Sequence, residues 1–521
     1  MPLLTDDQYL EFLSNGFLVI QPSAMTEADH DSLYQSAFDL YEQNNKVQSP
    51  KAHLELLGDN LRALVPAVDN MLNDPAVDDA IRSILGEHYI LHPHNFVHKS
   101  LKVDQIFHQD GNLPWNERGH YRSHRPDWLI LFYYPQTVDA TNGPTEIIPG
   151  SQYWTKNFET EDGWHSNDSL DRDFEEVMAS DDLTLPDQRQ QRALDSLGIS
   201  DLRRQFIHVP KGSVVMGNYD LIHRGSRKLP GAAPRFMYKF YFARSQEPTA
   251  PSWAHSQQPE FAQARSEIQP VIKQIWEWSS GRRAEETIDD PAPVIEQLRS
   301  GPEHKKVEAA YRLGMWKDPL AVSALTNGLQ ADSEATRRAS AYGLRAQGEA
   351  ATQGVVAALL NGSPQVRRVA AYALGNIETA VSAEAMDALI TCIEKDTDDL
   401  ARSNAAYSIG HIARSSDCDA FRVAKFLISR LQPGIEPDNT DIAGLSRSTV
   451  RQSLGYALTL LISNHDLPEG MMTHISDLAA ADDDRYVGGM LLQGLIQTTS
   501  SSSLVGSLLK GLAKQRWQLA R

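Results

Sequence analysis

The sequence predicts two architectures in one chain: an antiparallel β sandwich or barrel over residues 1–285, and a stack of paired helices over residues 286–521. Three observations carry this. Up to about residue 280, short runs of β-branched and aromatic residues alternate with turns containing Gly and Pro, which is the texture of an all-β core. From about residue 300, one helical pattern centred on a tyrosine recurs five times. A chain of 521 residues also exceeds what one hydrophobic core usually holds.

The elements follow in order. TDDQYLEFLSNG (5–16) has acids in its first turn and a stop at Asn15-Gly16, which predicts a helix. Strands are expected at GFLVIQP (16–22), DWLILFYY (127–134), TEIIPG (145–150), GSVVMG (212–217) and RFMYKFYFAR (235–244). Between about 155 and 205 the chain is long, acidic and rich in Asp. An insert of that size in a compact domain is expected to act as a lid or specificity element. The helical units read VEAAYRLG around Tyr311, RASAYGLR around Tyr342, RVAAYALG around Tyr372, SNAAYSIG around Tyr407 and QSLGYALT around Tyr456. Small Ala residues beside each Tyr permit close helix approach, and each unit buries its apolar face only by stacking on neighbours. QPGIEPDNTDIAG, in the longest interval, reads as a loop insertion, and Arg337, Arg338, Arg367 and Arg368 are expected on a solvated helix edge. The array resembles HEAT repeats of the short bilin-lyase type.

Composition excludes several classes. A net charge of −19 argues against nucleic acid as a partner, because phosphate binding needs a basic surface. Cys392 and Cys418 are the only cysteines, so neither a disulfide framework nor a thiolate metal site is expected. The longest apolar run, WLILFYY, is too short to span a bilayer, and MPLLTDDQYLEFL lacks signal-peptide architecture. These features predict a soluble cytoplasmic protein with no membrane partner.

The chemistry is expected from a few residues. His108 and Asp110, in HQD, share a face if the segment is extended, because side chains alternate with period two. His223, in LIHRGSRK, follows the turn Pro210-Lys211-Gly212 and the strand SVVM, so it is delivered separately. Two imidazoles and one carboxylate suit one face of an octahedral Fe(II), leaving the opposite face for an oxidising co-substrate and O2. Arg235 opens a further strand, and its guanidinium fork suits a terminal carboxylate. A metal-chelating 2-oxo acid with a distal carboxylate, 2-oxoglutarate, satisfies both requirements.

Other readings of the same residues stand beside this one. His108 and Asp110 also read as a turn histidine and a cap, and His208 competes with His223. His92, His94, His98, His120 and His124 read as surface residues or neighbours of the ligands. Lys239 shares a strand face with Arg235 by parity and is either inward and functional or at an edge. Thr145 and Tyr133 are pocket-lining candidates, and the turns at Asn142-Gly143 and Pro149-Gly150-Ser151 are expected to shape the barrel mouth.

The segments FLSNGFLVIQP, FVHKSLKVDQIFHQDGN, ATNGPTEIIPGSQYW and KGSVVMGNYDLIHRGSRK, followed by Arg235, resemble the phytanoyl-CoA dioxygenase family of Fe(II)/2-oxoglutarate oxygenases. The resemblance covers most of residues 8–245. It implies a double-stranded β-helix of jelly-roll or cupin type holding Fe(II), with 2-oxoglutarate and O2 as co-substrates. His108, Asp110 and His223 would then be the catalytic metal ligands, with Arg235 and Lys99 contacting 2-oxoglutarate. It also implies oxidation of an unactivated C–H bond in a small organic substrate, giving succinate and CO2. Related halogenases carry a small residue where Asp110 stands, so hydroxylation or desaturation is the expected outcome. The insert departs from the family pattern and leaves the substrate open. The repeats are expected to dock a protein partner or self-associate. The alternative function is a scaffold without turnover, or an enzyme modifying a protein that the repeats hold. If the repeats fold as a separate domain, a chain cut after about residue 290 keeps its metal site.

Overall fold

Thr5 caps the first helix, Asp6–Asn15: its hydroxyl accepts from the Gln8 amide, and the Gln8 side chain accepts from the Thr5 amide. The helix stops at Gly16, whose φ of 81° is left-handed. A Cβ there would lie 2.5 Å from the Gln152 side chain, so this turn is closed to larger residues. The structure is a computed structural model that describes residues 3–47, 50–58, 61–110, 123–154, 159–160, 163–164, 184–195, 198–199, 202–377, 382–436, 449–482 and 484–498.

The strands are β1 (Phe17–Ile20), β2 (Tyr89–Leu91), β3 (Phe96–Lys99), β4 (Trp128–Tyr133), β5 (Thr145–Ile147), β6 (Glu159–Thr160), β7 (Gly163–Trp164), β8 (Gln205–Phe206), β9 (Val214–Asn218), β10 (His223–Gly225) and β11 (Phe236–Arg244). The major sheet runs β1-β9-β4-β11-β2. Strand β3 pairs with the first half of β11 and β2 with its end. The minor sheet is β10-β5-β8, extended by an antiparallel bridge between His108 and His223. All these pairings are antiparallel, and the two sheets form a double-stranded β-helix.

Period-two alternation gives the major sheet two apolar faces. Leu129, Leu131 and Tyr133 of β4 join a cluster with the N-terminal helices, whereas Trp128, Ile130, Phe132 and Tyr134 pack inside the barrel with Val215, Met237 and Tyr241. Tyr133 therefore faces away from the cavity, with its hydroxyl 2.7 Å from His30 Nδ1. This overturns it as a pocket-lining residue. Its neighbour Tyr134 points inward and donates to Thr145.

Beyond β11, the described residues hold helices and connecting turns. The repeats contribute helix pairs whose second members are Glu303–Met315, Glu334–Gln347, Pro364–Leu374, Asp399–Ile412, Thr449–Asn464 and Arg485–Thr498. Successive pairs are tied by arginine–carboxylate bridges: Arg338 to Glu303 at 2.8 Å, Arg367 to Asp396 at 2.6 Å and Arg368 to Asp398 at 2.6 Å. Arg402 to Glu436 and Arg451 to Asp482 continue the ladder. Arg337 and Arg338 are buried, and Arg367 and Arg368 are engaged: Arg338, Arg367 and Arg368 link repeats, and Arg337 donates to the Ala331 and Asp332 carbonyls before its own helix, so none decorates a solvated edge. The loop insertion lies largely outside the described residues.

The tyrosines that mark the repeats face the barrel. Tyr311 hydroxyl lies 2.9 Å from His124 Nδ1, and the Tyr342 ring centroid is 4.1 Å from that of His124. Tyr456 stacks on Tyr407 at 5.2 Å and meets Trp128 at 5.3 Å. Tyr407, Tyr456, Leu460 and Met490 belong to the same apolar cluster as the barrel interior, so the repeats close one end of the barrel. Polar ties run along the seam: Arg345 donates to the Ser123 carbonyl at 2.6 Å, Arg414 pairs with Asp127 at 3.1 Å, and Asn464 donates to the Ser245 carbonyl at 2.8 Å. The barrel region and the repeats share this apolar cluster.

Candidate metal centre

The minor sheet brings the candidate ligands together. His223 opens β10, and the bridge to His108 exchanges two backbone hydrogen bonds of 3.0 Å, placing the imidazoles side by side with centroids 4.6 Å apart. Asp110 lies two residues on, as the period-two expectation requires. One donor atom from each of His108, Asp110 and His223 lies within 4.8 Å of the others. His108 Nε2 is 3.6 Å from Asp110 Oδ1, and His223 Nε2 is 3.8 Å from the same oxygen.

The hydrogen bonds behind these side chains set their chemical state. His108 Nδ1 faces the Ile106 carbonyl at 2.9 Å, and His223 Nδ1 faces the Leu221 carbonyl at 2.9 Å. A carbonyl only accepts, so each Nδ1 carries the proton and each Nε2 presents its lone pair to the common point. Burial pushes His223 down to about 3 and also lowers His108, so both are neutral at physiological pH. Burial opposes the charge on Asp110, but Lys239 and the two histidines outweigh it and hold the carboxyl well below its usual range. The two Asp110 oxygens differ in role. Oδ1 faces the histidines, while Oδ2 accepts from Lys239 Nζ at 2.6 Å and from the Tyr241 hydroxyl at 2.9 Å.

The adjoining cavity is lined by His108, His223, Arg235, Lys99, Thr145 and Lys239, among others. Arg235 is buried. Its Nε donates to the Gly143 carbonyl at 2.7 Å, while its Nη1 has no partner among the described residues. A buried guanidinium N–H without an acceptor is costly, and a ligand carboxylate would satisfy it. Gly143 makes this arrangement possible: its φ is +83°, and a Cβ would sit 2.7 Å from the Ser226 carbonyl. Lys99 reaches the same cavity from β3, with its ammonium 5.5 Å from the Tyr41 ring centroid. The donor set thus fits a divalent metal, and the arginine fits an anionic co-ligand beside it.

Arg224, next to His223, faces the other side of the minor sheet and clamps it. It pairs with the buried Glu146 of β5 at 2.5 Å, and Arg204 holds the second Glu146 oxygen at 2.5 Å. Asp187, from the helix Thr184–Asp195, contacts both arginines. The described part of the acidic insert therefore braces the sheet that carries His223; most of the insert lies outside the described residues.

Of the other candidate histidines, His94 and His98 are half-buried and His208 is exposed. His92 and His124 are buried, and burial pushes His92 and His98 down to about 3. His94 bonds the Tyr486 hydroxyl at 2.7 Å, His124 sits on the repeat seam, and His120 lies outside the described residues. Sequence reasoning left Lys239 undecided and did not single out Tyr241. The parity of RFMYKFYFAR, which puts residues 235, 237, 239 and 241 on one face, carries the signal for both.

Residues 12–235 match the family model of phytanoyl-CoA dioxygenase (PhyH), and residues 291–374 match that of HEAT repeats. Comparison with curated proteins finds no match. Among solved structures, apo HygX from Streptomyces hygroscopicus is 17% identical, with 46% of this chain and 87% of that chain covered and a TM-score of 0.31. EctD from S. alaskensis with bound Fe is 15% identical, covering 49% and 82%, with a TM-score of 0.31. SnoK, a non-heme alpha ketoglutarate dependent carbocyclase from nogalamycin biosynthesis, is 11% identical, covering 47% and 85%, with a TM-score of 0.32.

Proposed function

We propose that this phytanoyl-CoA dioxygenase domain, joined on one chain to HEAT repeats, is a working Fe(II)- and 2-oxoglutarate-dependent oxygenase that hydroxylates a C–H bond of a small organic molecule. The convergence of His108, Asp110 and His223 on one point, beside the unpartnered Arg235 Nη1, carries this reading. Iron(II) held there with 2-oxoglutarate would supply, from O2, an oxidant for an unactivated C–H bond, with succinate and CO2 as the co-products.

The chain's own residues bind, orient and exclude water. His108 and His223 offer Nε2, and Asp110 offers Oδ1, while Lys239 and Tyr241 fix its other oxygen and so favour one-oxygen ligation. Arg235 takes the distal carboxylate of 2-oxoglutarate with its fork, and Lys99 adds positive charge at the same cavity. The aromatic barrel interior and the repeat tyrosines that close its far end keep water away from the reacting face. We place the boundary between the two regions near residue 285. The repeats' tyrosine face is occupied by the barrel, so a protein partner would meet the first helix of each pair.

Supplying Fe(II), ascorbate and 2-oxoglutarate to the full chain and measuring succinate tests the proposal. Slow formation without a primary substrate is expected, with loss in His108→Ala and in His223→Ala. Undiminished succinate in both variants would reject the assigned site.

A further inference from the structure

A second cavity, of about 620 Å³, lies between the oxygenase region and the repeats and shares no lining residue with the metal cavity. That volume suits a small molecule. One wall is the segment 246–249 with the turn 281–283; the other is built from the C-terminal ends of the inner helices Pro364–Leu374 and Asp399–Ile412 and the residues after them. Its charged lining is Arg125, Arg282, Arg283, Arg414 and Glu247; Arg414 also pairs with Asp127 at 3.1 Å and Arg282 with Glu277 at 2.7 Å. Glu247 is already engaged: it accepts from Arg414 Nη2 at 2.6 Å and from Trp278 Nε1 at 3.0 Å. The buried Arg125 guanidinium lies over the Trp278 ring, 4.5 Å from its centroid.

His411 is the decisive group. It is 3% exposed and lines the cavity. Its Nδ1 lies 3.0 Å from Arg414 Nη2, and a guanidinium only donates, so the imidazole proton must be on Nε2. Burial holds this histidine well below its ordinary value, which keeps it neutral in that tautomer. Nε2 finds no acceptor among the described residues, and neither does Arg414 Nε. Buried N–H donors without an acceptor, in a cavity bordered by arginines, call for an acceptor bearing negative charge.

We propose that this cavity binds the oxyanion group, carboxylate or phosphate, of a small metabolite, held by His411 Nε2–H and Arg125 with Arg283 at the rim. The proposal is independent of the metal reading. Since the walls come from both regions, the bound anion would also hold the repeats against the barrel.

Isothermal titration of the full-length, metal-free chain with sodium phosphate and, separately, with sodium succinate at constant ionic strength tests this. Saturable binding of at least one anion, one per chain, is expected, and whichever binds identifies the group. His411→Ala should weaken it by about tenfold or more. Arg283→Glu, an exposed change that leaves packing alone, should also weaken it measurably. Arg235→Ala should leave it unchanged. Absence of saturable binding by both anions overturns the proposal. So does an affinity unaltered in Arg283→Glu or in a folded His411→Ala, or binding lost only in Arg235→Ala, which would place the anion in the metal cavity.

Discussion

Lys239 holds Asp110 at 2.6 Å, and the consequence is a carboxylate whose two oxygens are not interchangeable. Replacing Lys239 with Met removes that hold while keeping the stem's volume. Metal affinity is expected to fall by about 10–100-fold with the fold intact, checked by metal titration alongside circular dichroism. Arg235→Ala should raise the 2-oxoglutarate requirement by about tenfold or more, measured as KM, because one charged fork is withdrawn from a dry pocket. The candidate ligands were legible from HQD and the later His223, with Arg235 twelve residues beyond. Lys239 was legible only as an alternative, since parity places it on the right face but cannot show which side of the sheet is the cavity. Tyr241 carried no type-specific signal, because an inward tyrosine on a barrel strand reads as core.

At the scale of elements, the helix Asp6–Asn15 does more than start the fold. Asp6 is buried and accepts from Trp253 Nε1 at 2.7 Å, from His255 at 2.8 Å and from the Ser256 and Gln257 amides. It thereby pins the segment that follows β11 to the first helix. Burial works against its charge, but these hydrogen bonds outweigh it and lower the pKa well below the usual carboxylate value. A depressed carboxyl contributes stability that is complete above the unfolded value, about 3.9, and is lost as pH falls below it. Asp6→Asn should cost about 1–3 kcal/mol at neutral pH and flatten that acid limb, read from urea melts across pH. The helix was legible from its acidic first turn and Gly16. Its partner segment was not, because nothing local in WAHSQ announces a contact some 250 positions away. The repeat tyrosines show the same division: their recurrence revealed the helix pairs, whereas their burial against His124 and Trp128 depended on where the barrel ends.

At the scale of the molecule, barrel and repeats share an apolar cluster through Tyr407, Tyr456, Leu460 and Met490. A chain ending near residue 285 would expose Trp128 and leave Asp127 without Arg414. It is expected to aggregate or melt well below the full chain, as thermal denaturation and light scattering would show. Tyr456→Ala tests the same seam more gently, with an expected loss of about 3–5 kcal/mol in chemical denaturation. The two architectures were legible from texture and periodicity, but their fusion was not, because sequence pattern reports which faces are apolar and not which faces meet. The central claim is that one iron sits between His108, Asp110 and His223, and anaerobic equilibrium dialysis of the full chain against Fe(II) tests it most directly. One ion per chain should be retained by the wild type and lost, at the same free iron, by folded His108→Ala and His223→Ala; equal retention by all three would contradict it.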